Sequence, residues 1–79
     1  MAGHGMTPAE LKSARHALGL SANGFARWVG VAGGRTVRKW EAADGSVPGP
    51  VVVLVRAALD SAAVRDYFGL ALRSPHTRG

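Results

Sequence analysis

The chain has 79 residues, 47% of them hydrophobic, and no cysteine, which excludes a disulfide framework and a thiolate metal site. Ten Lys and Arg against five Asp and Glu give a formal charge of +5 and a pI near 11.2, the balance expected of a chain that meets a polyanion. This length builds one domain close to the lower limit for an unstapled core, so apolar burial must hold it, and a partner subunit would help.

The charge is uneven. Residues 1–41 hold six basic side chains against two acidic ones and residues 42–79 hold four against three, so the first half carries +4 of the +5. A solvated basic surface gives the same totals; the distribution points to the first half as the face a polyanion meets. The first residues lack the charged and apolar regions of a secretory signal, and the longest aliphatic run, Val51 to Val55, is too short for a bilayer. A soluble, cytoplasmic protein with no membrane partner is expected.

Residues 1–6, MAGHGM, are small and glycine-rich and read as a flexible N-terminus. Thr7-Pro8-Ala9-Glu10 then starts a helix: Thr7 can cap, Pro8 suits the first helical position, and Glu10 can close a capping box. Leu11, Ala14 and Leu18 form its inward stripe, and Gly19 ends it. A second helix opens at Ser21, whose hydroxyl can accept from an unpaired first-turn N–H, and places Phe25, Ala26 and Val29 on one face. Asn23 and Gly24 weaken it, Gly24 by about 1 kcal/mol against alanine, so tertiary packing must hold it. Gly30 stops it in the left-handed conformation.

The third helix runs from about Gly34 or Arg35 to Glu41. Val37 and Trp40 face inward; Arg35, Thr36, Arg38 and Lys39 face outward. A short helix that packs through two apolar residues and presents three cations is suited to the major groove of DNA. Ala42 to Gly49 is a loop, broken by Gly45 and Pro48-Gly49-Pro50.

From Pro50 two assignments compete. VVVLV is short and β-branched, as a buried strand would be. Pro50 at a first helical position, the continuation through Arg56-Ala57-Ala58-Leu59, and the lack of a second strand-like run favour a fourth helix, Pro50 to about Leu59. A fifth follows from Ser61 or Ala62 to about Leu72, with Val64, Tyr67, Phe68, Ala71 and Leu72 at helical spacing. Residues 73–79 read as a flexible tail. The expected fold is all-α, a compact bundle of about five short helices over residues 7–72, with Leu11, Leu18, Phe25, Val29, Val37, Trp40 and Leu54 in its core. The fourth helix is apolar nearly all round. Val52, Val55, Leu59, Tyr67 and Phe68 are therefore assigned to a homodimer interface, the alternative being a fifth helix that covers the fourth completely.

MTPAELKSARHALGLSANGFARWVGV followed by RTVRKWEAADGSVPGP resembles the lambda-repressor/Cro (Xre) family of helix-turn-helix regulators over roughly residues 6 to 59. The resemblance implies five short helices, a dimer on a near-palindromic double-stranded operator, and the third helix as reader. It assigns Arg35 and Lys39 to base edges, with Gly34 beside them contributing backbone, and Arg38 and Thr36 to phosphate or a neighbouring base. It also implies a buried bridge from Arg15 to Glu41; the alternative for Glu41 is a solvated carboxylate. Two departures stand out. Relatives often carry Gln at the position of Ala22, where here only Asn23 is near enough to contact phosphate. They also cap the third helix with Ser or Thr after a shorter turn, where Ala32-Gly33-Gly34 leaves a backbone-only cap whose N–H groups either hold a phosphate or merely loosen the turn.

Arg35 and Lys39 can both donate to guanine O6 and N7. Arg27, Lys12 and Arg38 are candidates for phosphate neutralisation, each alternatively a solvated cation. Trp40 is read as core rather than as a stacking platform; Trp28 covers either the core edge or the fourth helix. His4, His16 and His76 have no ligand spacing, Asp60 and Asp66 form no acid–base pair, and the glycines at 30, 33 and 34 match no nucleotide-binding loop. No cofactor, metal or catalysis is expected. The leading reading is a small dimeric repressor controlling its own operon, of the kind found in phages and mobile elements, including anti-CRISPR-associated and antitoxin genes. The runner-up is an antitoxin-like or adaptor module whose last two helices bind another protein; a third is binding of nucleic acid through charge alone.

Overall fold

A computed structural model describes residues 5–72. Five helices follow one another: α1, Pro8–Ala17; α2, Ala22–Val29; α3, Gly34–Glu41; α4, Gly49–Asp60; and α5, Ala62–Phe68. No strand occurs among the described residues, and no helix there is long and apolar enough to cross a membrane.

Local chemistry accounts for most helix ends. At α1 the Thr7 hydroxyl accepts from Glu10 N at 3.0 Å while the Glu10 carboxylate accepts from Thr7 N at 2.8 Å, so two orphan donors are satisfied reciprocally. Gly19 closes that helix with φ +72°, its N–H reaching His16 O and the next, Leu20 N–H, reaching Arg15 O. Ser21 caps α2 through Gly24 N at 2.9 Å, and Gly30 ends it at φ +85°. Between α4 and α5 a single extended residue, Ser61, closes one helix and caps the next, accepting from Val64 N at 3.3 Å.

Leu11 and Ala14 of α1, Ala22, Phe25 and Ala26 of α2, Val37 of α3, and Val51 and Val55 of α4 form one core cluster. Leu18 is buried as well. Val29 and Trp40 are half-buried against this cluster rather than inside it. Leu54, expected in the core, is half-buried and outside the cluster, because the inward face of α4 is set by Val51, Val55 and Ala58.

That same face corrects the expected dimer surface. Val52 and Val55 are buried within the single chain, at 4% and 0% exposure, and are not available to a second subunit. Leu59 is half-buried against the core. The side of α4 that looked surplus is covered by the helices it packs on; among its large apolar residues only Val53 stands clear, 70% exposed.

The fifth helix is shorter than expected. Gly69 takes φ +71°, its N–H bonding Asp66 O and the following Leu70 N–H bonding Arg65 O, so Ala71 and Leu72 lie beyond the helix. No α5 residue is buried. Arg65 holds α5 to α4 by donating from Nη1 to Ala58 O and Leu59 O, both at 2.9 Å, which satisfies two carbonyls of α4's last turn. At the other end, Met6 packs on the core and Arg56 Nη2 donates to Gly5 O at 3.2 Å, so residues 5 and 6 are tied to the fold rather than part of a free N-terminus. The remainder of the expected terminal segments, residues 1–4 and 73–79, lies outside the described residues.

Candidate nucleic-acid interface

The cationic helix α3 is positioned from both ends. At its start, Gly33 is extended and contributes no side-chain cap. Asn23, the second residue of α2, supplies one instead: its Oδ1 accepts from Gly34 N at 2.9 Å. The N-termini of α2 and α3 are thereby brought close together. A Cβ built on Gly34 would lie 2.5 Å from Asn23 Oδ1 and 3.2 Å from the carbonyl carbon of Ala22, so this approach admits no side chain.

Two expectations are corrected by that bond. The start of α3 is capped by a side chain from the preceding helix, not by backbone alone. The Gly34 N–H is spent on Asn23 and does not stand open to a phosphate. Gly34, assigned as a backbone contact, is buried and acts by permitting the approach.

At the other end, Glu41 meets Arg15 of α1. Arg15 Nε donates to Glu41 Oε2 at 2.7 Å and Nη2 to Oε1 at 3.1 Å, while Nη1 donates to Leu20 O at 3.1 Å. The side chains are 10% and 6% exposed, so neither charge is solvated and the fork of bonds replaces their water. The structure thus forms the expected Arg15–Glu41 pair and adds the Leu20 carbonyl. Beyond it, Gly45 folds against the end of α3, with Gly45 N donating to Ala42 O at 2.8 Å. A Cβ there would collide with the carbonyl oxygens of Lys39 and Trp40.

Between these fixed ends α3 has two unlike sides. Val37 is fully buried and Trp40 half-buried; Arg35, Arg38 and Lys39 are exposed. Thr36 is half-buried. Because the Arg15 fork withdraws Glu41, the only carboxylate of the helix, the exposed side of α3 is purely cationic. Arg27 on α2 and Lys12 on α1 are exposed and form no ion pair among the described residues.

A second surface lies at α5. Rings run edge to face from the buried Phe25 to Trp28 at 5.6 Å, from Trp28 to Phe68 at 5.6 Å, and from Phe68 to Tyr67 at 4.9 Å. Trp28 thus covers the core edge and carries α5. Its indole Nε1 is buried without an acceptor among the described residues. Tyr67 is 82% exposed, with Phe68 and Leu72 also exposed. No cluster of three His, Cys, Asp or Glu that could hold a metal occurs among the described residues.

The composition of the cationic side of α3 was readable from residue spacing. The Asn23 cap was not; its only trace in the sequence is an asparagine near the start of one helix and a glycine pair, without Ser, Thr, Asp or Asn, before the next. Comparison with protein-family models, with curated proteins and with solved structures finds no match.

Proposed function

We propose that the protein binds double-stranded DNA at specific sites as a homodimer and represses transcription, most simply of its own operon. On this reading α2 and α3 are a helix-turn-helix of the lambda-repressor/Cro (Xre) kind, with α3 in the major groove. The observation that carries it is the sidedness of α3: Val37 is buried, Glu41 is neutralised by Arg15, and Arg35, Arg38 and Lys39 are left facing out on a helix held at both ends. Arg35 and Lys39 take guanine edges, with Thr36 at a neighbouring base. Arg38, Arg27, Lys12 and the backbone at Gly33 lie along phosphates. The dimer forms through the exposed side of α5, Tyr67 and Phe68, with Leu59 at its edge. Two copies of α3 then sit about 34 Å apart, one turn of duplex, on an inverted repeat.

The test is titration of the protein into labelled duplexes by anisotropy at low and moderate salt. One duplex carries an inverted repeat from the DNA upstream of the gene; the other is a scrambled copy. Preference for the repeat, with a dimer bound, is expected. Equal affinity for both reduces the protein to a charge-driven binder. No binding to any duplex at low ionic strength removes the reading and leaves an adaptor module, which the exposed Tyr67 and Phe68 would then serve.

A further inference from the structure

We infer that α5 is exchanged between two copies of this chain: α4 and α5 straighten into one helix through Ser61, and the α5 of each copy takes the place on Trp28 that the other copy's own α5 has left. The inference rests on the homodimer of the proposed function, not on its DNA, and says how that dimer is built.

Ser61 is the single residue that keeps α4 and α5 apart. It is extended, with φ −125° and ψ 118°, between helical Asp60 and Ala62, and from Val51 to Phe68 the sequence holds neither glycine nor proline. Ser61 N already donates to Ala57 O at 3.0 Å, as it does in a continuing helix. In the bent form Arg65 Nη1 donates to Ala58 O and Leu59 O, and Ser61 Oγ accepts from Val64 N. In a straight helix Ala58 O, Leu59 O and Asp60 O accept from Ala62 N, Ala63 N and Val64 N in the ordinary ladder. Straightening therefore loses no backbone bond, and the joint has two satisfied arrangements.

What straightening does lose is the seat of α5. No residue of α5 is buried, and Phe68 rests edge-on against Trp28 at 5.6 Å. One helix from Gly49 to Phe68 runs about 30 Å and carries Phe68 away from its own Trp28. The surface laid bare is the one that α5 fits, and a second copy with its α5 swung out supplies that same face. The exchange also uses two residues that the single chain leaves to solvent. Val53 and Tyr67 are 70% and 82% exposed and lie on separate helices in the bent form. In the straight form Val53, Ala57, Asp60, Val64 and Tyr67 follow one another at alternating steps of four and three. That spacing makes one seam for a neighbouring helix, with Asp60 its single charge.

The experiment asks which chain supplies Phe68. Equal amounts of isotope-labelled and unlabelled protein are unfolded together in urea, refolded and concentrated. Isotope-filtered NOE spectra should connect the Trp28 indole of one chain with the Phe68 ring of the other. Contacts confined to single chains overturn the exchange and leave a dimer of closed subunits; a chain that stays monomeric in the concentrated sample overturns the exchange and the homodimer together. Ser61→Ala removes the α5 cap and favours helix at the joint, so its dimer dissociation constant should fall about tenfold to a hundredfold. Ser61→Asp keeps a cap and disfavours a helix interior, so its constant should not fall. Equal constants for the two variants overturn the hinge. Neither measurement uses DNA, so a failure to exchange and a failure to bind a duplex are read separately.

Discussion

Arg15 on α1 and Glu41 at the end of α3 grip each other through two side-by-side bonds, 2.7 and 3.1 Å long, at a site almost sealed from solvent. The pair joins the helix with the best local start to the helix that carries the cations. It also removes the single negative charge that would otherwise sit among those cations. Removing one member strands a buried charge. Arg15→Ala or Glu41→Ala should each destabilise the fold by about 3–5 kcal/mol, whereas replacing both by apolar residues of similar volume should cost much less. Urea unfolding of the two single variants and the double variant measures the difference, and a double variant as unstable as the sum of the singles would contradict it.

Arg35 is expected to discriminate and Arg38 to anchor. Arg35→Ala should cost about 1–3 kcal/mol on the operator and relax preference at one base pair. Arg38→Ala and Arg27→Ala should weaken all duplexes alike and lower the salt slope by about one each. Gel-shift series over single-base operator variants at several salt concentrations distinguish the two patterns.

Gly45 is held by space rather than by backbone conformation, since its φ is not positive. A methyl group there would meet the Trp40 carbonyl at 2.7 Å and the Lys39 carbonyl closer still. Gly45→Ala should therefore destabilise by about 1–3 kcal/mol through a forced shift of the loop off α3. Chemical denaturation gives the figure. A neutral result would mean that the loop relaxes freely.

Tyr67 makes the opposite prediction. At 82% exposure it contributes little to the single chain, so Tyr67→Ala should change monomer stability by no more than about 0.5 kcal/mol. In the proposed dimer it should shift self-association sharply, which sedimentation equilibrium reads directly. Phe68→Ala should do both, because Phe68 also meets Trp28 edge-on at 5.6 Å, a contact worth about 0.5–1.5 kcal/mol.

What the sequence by itself determined were the features whose partners lie within one helical turn. Thr7 with Glu10, Ser21 with Gly24, and Gly30 as a left-handed stop are readable because cap and capped group are at most four residues apart. The two-sidedness of α3 is readable for the same reason, since helical spacing alone puts Val37 and Arg38 on different faces. Resemblance to a family, not spacing, suggested the bridge across 26 residues from Arg15 to Glu41.

Only the tertiary structure decided the rest. Which flank of an all-apolar helix is buried depends on what packs there: Val52 and Val55, which a one-helix view leaves for a second subunit, are both buried within the chain, Val55 in one cluster with residues of α1, α2 and α3. The apolar spacing of α5 runs on past Gly69, while a left-handed glycine stops the helix whatever follows. Asn23 reaches Gly34 across eleven positions, a distance that the chain closes only after the turn has folded and Gly34 has let two helix ends meet. Such a bond has no periodicity to announce it, since it depends on where two helix ends come to rest in space and not on their separation along the chain.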